Sequence, residues 1–337
     1  MVGPDTVLPG LRCLSSTSAR VVIRIGDTSS TSKSPATCGK CSTRNTFNSS
    51  SDIFNCIFIL LHVAPIVGQR TREDKMTDIL LREDVASIAT LTLNDPGKLN
   101  ALSDAMLAAL KAEFAALRED RSIKAVVLAG AGKAFCAGHD LKEMQAGRQS
   151  EDGGRAYFAD LFARCGEVMQ MIPTLPQPVI ARAHGIATAA GCQLVASCDM
   201  AVAATGTRFG VNGVNIGLFC STPMVALSRN VPRKQAFEML TTGEFIDASR
   251  ARDLGLVNRV VAPEDLEAET TALAITVAEK LASAVKIGKQ AFYEQLQMPL
   301  DAAYAFTGDV MVHNMMDTYT AEGIQAFIEK RKPDWPA

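Results

Sequence analysis

The sequence has no surplus of either charge, no apolar run long enough to cross a bilayer, and no cysteine pattern of a disulfide framework. Each absence removes a class. Thirty-four basic side chains stand against 36 acidic ones, a net charge of −2 over 337 residues. That leaves no electrostatic case for a nucleic-acid partner. The apolar run at 53–68 covers about 16 residues and is interrupted by His62 and Pro65. A membrane span needs ~20, and the run lies too far from the N-terminus for an ordinary secretory signal. The nine cysteines are odd in number and scattered. They read as reduced, mostly buried thiols of an intracellular protein rather than as paired bridges. No internal repeat is visible. What remains is a chain with 47% hydrophobic residues, enough for a sizeable core.

The first 75 residues differ from the rest. They carry nine Lys/Arg and five Asp/Glu, and 1–52 is Ser/Thr-rich with no sustained apolar period. Such a segment is expected to be disordered or poorly packed. It reads as a transit peptide, as an idiosyncratic extension, or as the product of a start placed upstream of Met76, where a clean domain opens with MTDILLRED. The compartment follows: cytoplasmic if translation starts at Met76, mitochondrial if 1–75 is a transit peptide. Cys38, Cys41, Cys56 and His62 have the residue types of a zinc site, but nothing compact surrounds them. No metal is expected.

From residue 79 the pattern alternates. ILLREDVASIATLTL (79–93) holds two β-like runs broken by Arg82-Glu83-Asp84 and reads as a hairpin or bent strand pair. Ser103 can cap a helix over 104–119, whose Met106, Leu107, Leu110, Phe114 and Leu117 fall at helical spacing. KAVVLAG (124–130) is a buried strand. A Gly-bearing loop (131–144) then runs into a helix. A second amphipathic helix covers 155–172 and is ended by Pro173, Pro176 and Pro178. VIARA (179–183) is a strand, followed by HGIATAAGCQLVASCD (184–199) as loop plus helix, and DMAVAA (199–204) is a strand again. The order β-α-β-α-β-α-β points to an α/β fold. From about 221 the pattern is mostly helical.

The two Gly-rich loops each follow a buried strand and lead into a helix. Such junctions present backbone N–H groups to a ligand. Two N–H groups aimed at one carbonyl oxygen favour an enolate or tetrahedral anion over the neutral ground state. Gly138 and Gly191 would let the chain turn and approach closely. The plainer alternative is a pair of tight packing turns.

AFCAGHDLKEM (134–144) and HGIATAAGCQLVASCDMAVA (184–203) together resemble the enoyl-CoA hydratase/isomerase (crotonase) superfamily. GVNIGLFCSTPMVALSRNVPRKQAFEMLTTGEFIDASRARDLGLVNRVV (213–261) matches a further region of that family. The QLVASCD, NIGLFCSTP and EKRKPDW segments narrow the likeness to one subgroup. The resemblance implies an α/β, crotonase-like spiral of ββα units over 76–270 and a C-terminal helical region, 271–337, that packs between subunits as a homotrimer or dimer of trimers. It implies an acyl-CoA ligand of fatty-acid metabolism, with coenzyme A as part of the thioester substrate and no separate cofactor. The oxyanion-hole donors would be the N–H groups of His139 and Ala190. Gly138, Asp140, Leu141, Lys142 and Gly191 are the candidate substrate-binding residues around them.

Hydratases of this family share the water to be added between two glutamates. Their positions are Gln193 and Gly213 here, and neither can titrate. Gln193 can orient a water through its amide, but it cannot take a proton at pH 7. Asn212 and Asn215 could hydrogen-bond a ligand or merely form a turn. Cys220 could be a nucleophile or an inert buried thiol. His184 and the imidazole of His139 are candidate proton carriers. Asp140 reads as a helix cap and Asp199 as structural. Two functions stay open: an acyl-CoA enzyme with non-standard catalytic residues, and a non-catalytic acyl-CoA-binding or regulatory subunit.

Overall fold

This computed structural model describes residues 79–335. The extension 1–75, with the expectations attached to Cys38, Cys41, Cys56 and His62, lies outside the described residues. The first element is a hairpin. Strand β1 (Leu80–Val85) pairs antiparallel with β2 (Ile88–Leu93), Val85 opposite Ile88. Only Ala86 and Ser87 remain for the turn, both at positive φ, as a two-residue hairpin that follows strand twist demands. Arg82-Glu83-Asp84 therefore does not break the strand, contrary to the sequence expectation. β1 is an edge strand, where charges are tolerated, and Arg82 reaches Asp84 and Asp120 at 2.8 Å each.

Helix α1 (Asp104–Glu119) starts at the expected cap, with Ser103 accepting from the Met106 N–H. All five of its predicted apolar positions are buried. Strand β3 (Ala125–Gly130) is followed by α2 (Leu141–Gly147), then α3 (Arg155–Thr174), β4 (Val179–Ala183) and β5 (Ile186–Thr188). Pro173 sits inside the last turn of α3 rather than ending it. Next come α4 (Ala190–Ser197), β6 (Met200–Ala204), β7 (Arg208–Gly210), α5 (Pro223–Asn230) and α6 (Arg233–Thr242). β8 (Ile246–Asp247), α7 (Ala248–Asp253) and β9 (Arg259–Val261) precede four helices: α8 (Leu266–Ala278), α9 (Ala282–Gln295), α10 (Leu300–Met315) and α11 (Thr318–Ile328).

The strands form two sheets, ordered β1-β2-β3-β4-β6-β9 and β5-β7-β8. β4 lies in the large sheet and β5 in the small one, with α4 following. β6 and β7 repeat the step with α5 following. The chain thus advances in ββα units between two sheets. Apart from β1, the large sheet is parallel, and both its faces are covered. Val126 and Leu128 of β3 join the main core with α1, α3 and α4, whereas Ala125 and Val127 join a second core under α8. That two-sided burial explains why AVVLAG reads as an unbroken apolar run.

Candidate active site

Two strand-to-helix junctions meet at the C-terminal ends of the parallel strands. The first leads from β3 to α2. There the Cys136 N–H donates to Ile186 O (3.1 Å), and the Thr188 N–H donates to Cys136 O (3.0 Å). The second leads from β5 to α4. The backbones are so close that a Cβ on Gly191 would lie 2.2 Å from Cys136 O, and one on Gly138 would lie 3.0 Å from Thr188 O. Gly138 also has φ +88°. Close approach and positive φ together leave glycine as the residue that fits. Ala189 adopts φ 51°, ψ −120°, uncommon for a residue with a Cβ. This sharp corner opens α4 at Ala190. Neither the Ala190 N–H nor the His139 N–H has a protein acceptor among the described residues. The first turn of a helix leaves such donors free.

A cavity of about 290 Å³ borders both residues. Leu141, Met144 and Phe162 form one part of its wall; Ile216, Leu218 and Phe219 form another. Asn212, Gly213 and Cys220 also line it. A mostly apolar wall with a few convergent polar groups is the ordinary make-up of a small-molecule site. A larger cavity of about 800 Å³ lies elsewhere, among charges of both signs such as Arg121, Lys124, Asp120 and Glu294. None of the candidate catalytic or binding residues read from the sequence lines it.

Gln193 is buried on α4, three residues beyond Ala190 and so on the same helical face. Its Oε1 has no hydrogen-bond partner, and the residue is not part of the cavity wall. Gly213 is buried, and its N–H donates to Cys220 Sγ at 3.3 Å. A Cβ there would meet Leu218 O at 2.3 Å. The position therefore has no room for a side chain as the loop stands. Asn212 accepts from Thr188 Oγ1 at 2.6 Å and faces the cavity region. Asn215 instead donates to Gly243 O (3.4 Å) and stands outside the wall.

Cys220 lines the cavity, but burial pushes its thiol up, with the Gly213 N–H pulling back only in part. A raised thiol is a poor nucleophile at neutral pH. The other described cysteines are free and buried; burial pushes Cys136 up to about 12. Asp140 caps α2, accepting from the Lys142 N–H (2.9 Å) and Glu143 N–H (3.3 Å), and pairs with Lys98 at 3.0 Å. Burial alone would raise its carboxyl, but Lys98 and the two N–H donors outweigh it and hold it low. Lys142 is exposed and outside the wall. His184 Nε2 bonds Gly132 O at 2.9 Å, a loop tie away from the cavity. His139 is mostly buried, with Nδ1 3.4 Å from Leu102 O and its ring edge-on to Phe162.

Sequence reasoning did not single out Phe162 or Met144 as wall residues. Nothing in a helical apolar stripe separates a cavity wall from a core face. It also missed a buried cluster at the N-terminal ends of β4 and β6. Lys289 Nζ reaches Asp199 Oδ2 (2.7 Å) and the carbonyls of Ile172 and Gln177 (2.8 Å each), and Tyr293 OH donates to Asp199 Oδ1 (2.8 Å). Asp199 is structural, as its place at a strand start suggested.

Paired sheets advancing in ββα units, followed by a run of helices, define a crotonase-type fold. The chain belongs to the enoyl-CoA hydratase/isomerase family, whose sequence model matches residues 83–337. It is 47% identical over 248 residues to mouse (Mus musculus) enoyl-CoA hydratase domain-containing protein 3, mitochondrial, covering 74% of this chain and 81% of that protein. The human protein of that name is 44% identical over 268 residues, covering 80% and 86%. Its crystal structure superimposes with a TM-score of 0.73 over 76% of this chain and all of that one. A crystal structure of an enoyl-CoA hydratase from Mycobacterium smegmatis, 58% identical, gives a TM-score of 0.74 over 76% of this chain and 98% of that one.

Proposed function

We propose that the protein binds acyl-CoA thioesters of fatty-acid metabolism, with the thioester oxygen between the N–H groups of His139 and Ala190 and the acyl chain in the apolar cavity. The observation that carries this reading is the pair of unpartnered N–H groups bordering that cavity. Such donors strengthen as negative charge builds on the oxygen. Water addition also needs groups that exchange a proton, and Gln193 and Gly213 do not. Standard hydration is therefore weak. Full-length protein is expected to bind butyryl-CoA, seen as a rise in melting temperature. It should hydrate crotonyl-CoA at least ~10²-fold below an ordinary enzyme of roughly 1–10³ per second. Hydration at ordinary rates would sink the second expectation; no thermal shift with any acyl-CoA would sink the first. The absent glutamates also favour a second reading, a non-catalytic acyl-CoA-binding or regulatory subunit. Binding with no chemistry of any kind would select it.

The assembly we propose is a homotrimer or dimer of trimers. Its support is the apolar surface left on the last helices. Leu300, Tyr304 and Met316 are each about three-quarters exposed, and Phe327 is 84% exposed. Large apolar side chains left this exposed are the material of an interface. Sedimentation of the full chain at micromolar concentration is expected to give the mass of a trimer or its multiple. A monomer would reject this assembly.

A further inference from the structure

The side chain of Asn212 bonds nothing in its own turn. Its one side-chain partner is Thr188, whose Oγ1 lies 2.6 Å from Oδ1. A turn-forming asparagine would instead aim Oδ1 at a backbone N–H two residues on. The short separation is that of an O–H···O bond rather than an N–H···O bond. The hydroxyl therefore donates and the amide oxygen accepts, which fixes the way the amide faces. Thr188 is itself held. It is buried, its N–H donates to Cys136 O at 3.0 Å, and it pairs with Gly210 across β5 and β7. The Ala189 N–H donates to Gly210 O at 2.9 Å. Asn212, two residues past Gly210, thus stands beside the corner that opens α4 at Ala190. With Oδ1 taken, Nδ2 keeps two N–H groups that have no protein acceptor, and it is not sealed from solvent. Thr188 and Asn212 both line the cavity. The other polar side chains there are not donors of fixed direction. His139 Nε2 is sealed and its Nδ1 faces Leu102 O; Cys220 accepts the Gly213 N–H; the hydroxyls of Ser221 and Thr222 are rotors that donate or accept. No Lys, Arg, Asp or Glu lines the cavity among the described residues.

We propose that Asn212 is a specificity-determining residue and that the acyl-CoA this cavity takes is a 3-oxoacyl thioester, its 3-keto oxygen accepting from Asn212 Nδ2. This rests on the thioester-binding reading above. With the thioester oxygen at the His139 and Ala190 N–H groups, carbon 3 lies two bonds beyond the thioester carbon, on the stretch of chain that leaves the Ala190 corner past Asn212. A ketone is acceptor-only, so against a donor-only amide it leaves no proton unmatched. A hydroxyl at carbon 3 would bring an O–H of its own to satisfy. A carboxylate would enter a mostly apolar cavity with no cation to pair with, which is costly. Thr188 acts through Asn212, as a positioning residue that keeps Nδ2 turned to the ligand.

The test compares 3-oxobutyryl-CoA with butyryl-CoA, ligands of one chain length that differ at carbon 3, by titration calorimetry on the full chain. Wild type is expected to bind the 3-oxo ligand about 2–10-fold more tightly, the worth of one net hydrogen bond, and more tightly than 3-hydroxybutyryl-CoA. Asn212→Leu keeps nearly the same side-chain size and should reverse the order, because the ketone is then buried without a donor, while butyryl-CoA still binds. Asn212→Ala, expected to do the same, guards against one variant misfolding. Thr188→Val removes the hydroxyl that orients the amide and should bring the two ligands towards parity. A general loosening of the loop would weaken both ligands alike and leave their ratio unmoved. Equal affinities in wild type, or a 3-oxo preference unchanged in Asn212→Leu, would overturn the proposal and leave thioester binding standing. Tighter binding of the 3-hydroxy ligand would overturn the ketone assignment. Wild type that binds none of the three would instead fail the underlying reading, and this proposal with it.

Discussion

Lys289→Met is expected to destabilise the protein by about 3–5 kcal/mol, the usual result of removing one partner from a buried ion pair. The Lys289 and Asp199 side chains are 5% and 11% exposed, so water does not replace the lost contact. Asp199 would keep the Tyr293 hydroxyl and the Val179 N–H (2.6 Å) as donors, but no counter-charge. The carbonyls of Ile172 and Gln177 would lose their donor as well. Lys289 sits on α9, Ile172 on α3 and Asp199 just before β6, so this cluster ties the C-terminal helices to the sheet that carries the site. Thermal melting at fixed protein concentration is the measurement, with a fall of roughly 6–20 °C expected for a domain of this size. Lys289→Met combined with Asp199→Asn should recover part of the loss. A melting temperature unchanged in Lys289→Met would show that the cluster contributes little.

Gly213→Glu is expected to disrupt the cavity rather than to restore hydration. A Cβ at 213 would lie 2.3 Å from Leu218 O and 2.8 Å from Cys220 Sγ. The first is backbone, held in turn because the Leu218 N–H donates to Gly213 O at 3.0 Å. The loop cannot yield by a rotamer change, so the wall formed by Leu218, Phe219 and Cys220 must move. Overpacking of this kind costs typically 1–3 kcal/mol, occasionally more. Gln193→Glu meets a different obstacle. The side chain is buried and its Oε1 receives no hydrogen bond, so a carboxylate there would have a raised pKa. Its destabilisation would be absent in acid and would grow as pH rises past the unfolded glutamate value of about 4.3. Crotonyl-CoA hydration by the double variant should therefore stay low and butyryl-CoA binding should weaken. A folded double variant with brisk hydration would mean that the loop relocates readily and that only side-chain identity withheld the activity.

Much of the frame was legible. Helix α1 was readable because its cap, first turn and apolar stripe are all local, and tertiary packing merely used the face they define. Strands β3 and β4 were readable as short unbroken apolar runs between turn residues. The short strands were not. β5, β7, β8 and β9 have three residues or fewer, too few to show a period, and each exists because a distant partner supplies its hydrogen bonds. The break expected at Arg82-Glu83-Asp84 failed because charge was taken as a turn signal. On an edge strand the turn is set by register instead.

The sequence by itself determined the α/β frame, the two glycine-bearing junctions, and the chemical inability of positions 193 and 213 to exchange a proton, because these depend on residue type and local spacing alone. Only the tertiary structure decided what those facts mean. It brings Gly138 against Ala190, about fifty residues away in the chain, so that two N–H groups border one cavity. It closes the space at Gly213 with the Leu218 carbonyl, and it leaves the His139 Nε2 without a partner. Each of these is a matter of which atoms lie within a few ångströms of one another, and the non-local packing of the two sheets and their helices sets that.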